Sequence, residues 1–80
     1  MDYLDRKNIK PLLRKYFLEQ DFLEARAGEV KHASEYVAKK LGKPFSEEIR
    51  HAVRYELGQM KLAREIVRVR WGVYRPRVSH

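Results

Sequence analysis

The stretch Gly42-Lys43-Pro44-Phe45-Ser46 constrains the fold more than any other part of the chain. Glycine after a run of periodic apolar residues ends a helix, because it enters the left-handed region at little cost. A proline two positions later cannot continue that helix. Ser46 then offers a side-chain oxygen to the bare N–H groups of a new helix, and Glu47 and Glu48 stand where the helix dipole favours negative charge. One helix stops here and another starts, so the two are expected to fold back on each other.

The apolar spacing on each side predicts which faces meet. Leu23, Ala27, Val30, Ala33, Val37 and Leu41 recur three and four apart, which predicts a second helix from about Phe22 to Leu41. After Ser46, one stripe holds Ile49, Val53, Leu57, Met60, Ala63 and Val67. A second stripe holds Tyr55, Leu62 and Ile66. Together they predict a long third helix, to about Val67, apolar over more of its circumference than one core requires. A first helix is expected from an Asn8 cap, with Pro11 in its first turn, burying Ile9, Leu13, Tyr16 and Phe17. Asp21 and Glu24 have the form of a capping box, so the break falls near Gln20–Asp21.

Past Val67 the period changes. Val67, Val69, Trp71 and Val73 alternate with Arg68, Arg70 and Tyr74, the two-residue repeat of an extended chain. Such a segment must pair its backbone with another strand or with a ligand. Val67, Val69 and Trp71 are expected inward and Arg68 and Arg70 outward, with Arg75-Pro76-Arg77 as a free end. The expected fold class is therefore mainly α. A three-helix domain with a long third helix occupies residues 1–67, and an extended basic C-terminal arm occupies 68–80.

Charge is concentrated in that arm. The chain has 18 basic and 11 acidic residues, a net +7. Residues 66–80 carry Arg68, Arg70, Arg75 and Arg77 and no acid, so more than half of the excess lies there. Arginine presents a planar fork that grips phosphate and stacks on rings. Arg50, Arg54, Lys61 and Arg68 are expected to form a second basic feature, a ridge along the polar edge of the third helix.

Several function classes are disfavoured. There is no Cys, hence no disulfide or thiolate metal site. No apolar run is long enough to cross a membrane, and the N-terminal residues lack the pattern of a signal peptide, so a cytoplasmic protein is expected. No glycine-rich phosphate loop exists, and Ser34, Ser46 and Ser79 have no nucleophile elbow around them, so the chain is not expected to be an enzyme. Glu29-x-x-His32 and Glu48-x-x-His51 each place a Glu and a His on one helix face, as metal-binding bundles do. His32 falls on a polar side, however. Surface salt bridging is the favoured reading, and neither metal nor cofactor is expected.

The segment Glu35 to Val53 resembles the helix-turn-helix motif of DNA-binding proteins. Val37, Ala38, Leu41 and Gly42 match its first helix and turn. Lys43 stands where an apolar residue belongs, and Ile49 comes one position late. The resemblance covers about nineteen residues, and it implies that Arg50 and Arg54 would lie nearest a duplex. Glu47 and Glu48 would lead that helix toward a polyanion, which is unfavourable.

The expected function is non-catalytic nucleic-acid binding, with RNA or a ribonucleoprotein slightly favoured over DNA. The candidate residues are Arg50, Arg54, Lys61, Arg68, Arg70, Trp71, Tyr74, Arg75 and Arg77. Their mix of arginine and aromatic rings suits phosphates and unstacked bases. The alternative is an assembly subunit or homodimer, docking through Tyr55, Leu62 and Ile66 and the strand-like tail.

Overall fold

The computed structural model describes residues 6–77. A 3-10 turn at Arg6–Asn8 leads into α1 (Ile9–Glu19). Asn8 is itself helical and makes no side-chain cap bond, so the expected cap is replaced by this turn. The chain continues through α2 (Val30–Leu41) and α3 (Glu47–Leu62), then a hairpin of β1 (Ile66–Arg70) and β2 (Val73–Pro76). The protein is mainly α, with one two-stranded antiparallel sheet.

The corner at 42–46 forms as its residues dictate. Gly42 is left-handed at φ 70°, and the amides of Gly42 and Lys43 return to the carbonyls of Lys39 and Ala38. Ser46 Oγ accepts the Ile49 N–H at 3.3 Å. The helices bury Ile9, Leu13, Val37, Val53, Leu57 and Met60 between them. Each large apolar side chain so removed from water contributes roughly 1.5–3 kcal/mol.

The second helix begins at Val30, not Phe22. Residues 20–29 form a chain of turns instead, because tertiary partners claim their backbone. Asp21 Oδ1 accepts the Leu23 N–H, which makes a turn of the expected helix start. The Phe22 ring stacks on Phe17 at 5.7 Å, while Leu23, expected on the buried stripe, is 94% exposed. Gly28 is left-handed at φ 91°. Its N–H donates to the Tyr16 hydroxyl at 2.9 Å, and its carbonyl accepts from Tyr74 at 2.8 Å. Glu29 is extended and bridges to Val73, and the Val30 N–H donates to Gly72. Helix propensity is a weak prior against such pairing.

The third helix ends at Leu62, not Val67, and the extended arm is replaced by the hairpin. Arg64 takes the left-handed conformation at φ 64° in a place usually given to glycine. The Arg64 and Glu65 amides close the helix on the Lys61 and Met60 carbonyls. The β-branched run that follows suits a strand. β1 and β2 pair through Ile66↔Pro76, Val67↔Arg75, Arg68↔Tyr74 and Arg70↔Val73, with an irregularity between Arg68 and Arg70.

The hairpin also reverses the expected facing. Ile66, Val73 and Tyr74 are buried, whereas Val67, Val69 and Trp71 are exposed. Ile66 therefore belongs to the core, not to a surface stripe. An ion pair braces the junction: Arg14 Nε and Nη2 meet Glu65 Oε1 and Oε2 at 2.8 and 3.0 Å. No helix among the described residues is long and apolar enough to cross a membrane. Val78, Ser79 and His80, the end of the expected arm, lie outside the described residues.

Candidate nucleic-acid interface

The hairpin does not project away from the helices. It lies beside α3, and the two enclose an open groove of about 430 Å³. Stitching at Gly28 and Val30 holds β2 in place, and this sets the groove's width. Buried Val30 and Tyr74 lie at its base, beside Gly58 of α3. Arg54, Lys61 and Leu62 come from the helix, and Arg68 and Trp71 from the hairpin. Tyr55 completes the helical side.

The electrostatics of this groove are one-sided. Among the described residues, no acidic side chain lines it. Four cations outside it are matched: Arg14 with Glu65, Lys15 with Glu19, Arg26 with Glu29 and Glu35, and Arg50 with Glu47. Each match acts on the partner. Hydrogen bonding from Arg14 holds the Glu65 carboxyl below its ordinary range, and Arg50 does the same to Glu47. Arg54, Lys61 and Arg68 make no such pair among the described residues. An anion entering the groove would therefore meet cations with no competing carboxylate.

The aromatic content is equally specific. Trp71 occupies the hairpin turn with Gly72 and is 79% exposed. The Arg68 guanidinium lies over its ring, 5.2 Å from the centre. That contact holds the indole against one cation and leaves the rest of its surface to solvent. Tyr74, by contrast, is only 8% exposed and packs with the core.

Five of the nine sequence candidates meet here: Arg54, Lys61, Arg68, Trp71 and Tyr74. The expected ridge on α3 does not run its full course, since Arg68 reaches the groove from β1 and Arg50 folds back onto Glu47. Arg70, Arg75 and Arg77 are exposed on or just past the hairpin but do not line the groove. Tyr55 and Leu62, expected on a separate docking face, line the same groove as the cations. Gly58 was not among the candidates. Its signal is legible in the sequence, a glycine inside a helical pattern where it weakens the helix.

Three of the four residues of the two Glu-x-x-His pairs have other neighbours. His32 Nδ1 is 2.8 Å from the Tyr16 hydroxyl, and Glu29 pairs with Arg26. His51 lies near Glu47. Among the described residues, no three His, Asp or Glu side chains converge as metal ligands would. No protein family, curated protein or solved structure gives a significant match to the chain.

Proposed function

We propose that the protein is a non-catalytic nucleic-acid-binding module, acting in the cytoplasm, that takes a single strand, RNA above DNA, along the groove between α3 and the hairpin. One observation carries this: Arg54, Lys61 and Arg68, without carboxylate partners among the described residues, line one groove with an exposed Trp71. Phosphates suit the cations, and an unstacked base suits the indole. Arg70, Arg75 and Arg77 extend the positive field beyond the groove and serve as secondary phosphate contacts.

The test is a salt titration. A variant with Arg54→Gln, Lys61→Gln and Arg68→Gln should bind a single-stranded oligoribonucleotide more weakly. Its plot of log affinity against log salt should flatten by about 2, because each lost phosphate contact on a single strand removes about 0.7 from the slope. Arg50→Gln should change neither quantity, since Glu47 already holds that side chain. An unaltered slope in the triple variant would sink the proposal. Binding that ignores salt would favour an apolar protein partner on Tyr55 and Leu62.

A second reading has its own support. α2 and capped α3 follow each other across the Gly42 turn, as the resemblance to a helix-turn-helix requires, and Arg54 is exposed on α3. On that reading α3 enters the major groove of a duplex. Glu47 and Glu48 at its leading end weigh against it. Competition between single-stranded and duplex probes of one sequence separates the two.

A further inference from the structure

We infer that the groove seats one unstacked base of the bound strand, between Trp71 and the bare surface of α3 at Gly58. The inference rests on the nucleic-acid reading and specifies what that site recognises. Gly58 is the starting point. Glycine is among the poorest residues for a helix interior, so a mid-helix glycine calls for a reason. Usually the reason is close packing, and here that fails: a Cβ at Gly58 would meet nothing within 4 Å. The fold does not need the glycine. What its missing side chain does is leave the groove open beside α3.

The opposite wall supplies the partner for a flat ring. Trp71 has Arg68 over its ring at 5.2 Å and remains 79% exposed. Arg54 and Lys61 stand on the helical side, placed for the phosphates that flank an inserted base. The volume, about 430 Å³, falls low in the range of roughly 300–1,000 Å³ that holds small ligands. That is room for a ring of nucleobase size. The absence of any acidic lining residue among those described favours an anionic partner, and the exposed indole favours a planar one.

Trp71 is the chain's single tryptophan, so its fluorescence reports the seat directly. The whole chain is titrated with an octamer of riboadenylate, an abasic strand of equal charge, a duplex and octaglutamate. The riboadenylate should quench Trp71 and bind about tenfold tighter than the abasic strand. Gly58→Leu should abolish the quench and that tenfold margin while leaving salt-dependent binding of the abasic strand. Trp71→Leu, which alters only an exposed side chain, should abolish the margin in a gel-shift competition if Gly58→Leu folds poorly. Equal affinity for riboadenylate and abasic strand overturns the seat but leaves phosphate binding standing. So does an undiminished margin in either variant. Preference for the duplex, or equal quenching by octaglutamate, also overturns it. If no probe binds with salt dependence, the nucleic-acid reading fails and the seat fails with it.

Discussion

The seam at Gly28 and the groove at Gly58 use the same materials: aromatic rings, arginine and glycine. They differ in what is partnered. At the seam, Gly28 touches Tyr16 and Tyr74 through its own backbone, and a Cβ there would overlap the Tyr74 carbonyl oxygen. Nearby Arg26 is held by Glu29 and Glu35. Tyr16 is fully buried with its hydroxyl bonded to both Gly28 and His32. At the groove a Cβ on Gly58 would meet nothing within 4 Å, Arg54 and Arg68 have no carboxylate partner among the described residues, and Trp71 is exposed beside Arg68. Complete pairing marks the region that holds the fold together. On the proposed reading, the incomplete pairing at the groove is what a partner from outside the chain would relieve.

The two glycines give the sharpest way to break this comparison, because one substitution should have opposite signs at the two sites. Gly28→Ala combines a steric overlap, an unfavourable φ and disturbed hydrogen bonds, and should cost about 3 kcal/mol or more in urea unfolding. Unchanged stability would mean that the seam does not hold the hairpin. Tyr16→Phe comes next. Removing the hydroxyl leaves a buried Gly28 N–H unsatisfied, which should cost about 1–3 kcal/mol. Gly58→Ala should stabilise the protein by about 0.5–1 kcal/mol, since helix propensity improves and nothing is displaced. Its melting temperature should rise while affinity for a single strand falls.

The smallest effect concerns pH. Glu65 and Glu47 have folded-state values below their ordinary 4.5, each because an arginine bonds to the charged form. Their stabilisation is therefore present above that value and is lost as pH falls through it and below. Arg14→Gln should restore the ordinary value of Glu65 and make the acid limb of the stability curve shallower. Both pairs are solvent-exposed, so screening by salt should shrink the effect further.

What the sequence disclosed tracks how local the cause is. The 42–46 corner is local: Gly42, Pro44 and Ser46 act within a few residues of themselves, and the helix end and start fall where expected. The start of α2 is not local. Gly28 breaks the helical pattern because Tyr74, far along the chain, takes its backbone groups. Val67 was ambiguous in principle, since a β-branched residue at a helical interval also suits a strand, and Arg64 carries no sign that it will turn left-handed. At the candidate site, helical spacing pointed to Arg54, Lys61 and Arg68 as part of one ridge, and composition to Trp71 in the tail. Their convergence required the hairpin, which also moved Tyr55 and Leu62 beside them and Ile66 into the core.

The stitch between Gly28 and Tyr74 also implies an order of assembly. Turns of α1, α2 and α3 close over a few residues, and β1 and β2 are neighbours across a short turn. The seam joins positions 28 and 74, a separation of 46 residues. Loop-closure entropy rises with that separation, and rates fall as contacts become less local. Docking of the preformed hairpin is thus expected to be the late, slow event in folding. Both walls of the groove exist as local pieces before then, but the space between them does not. The candidate groove is completed only when this long-range contact closes. By the same logic, a ligand lying across both walls would act as a clasp, slowing the opening that undoes them.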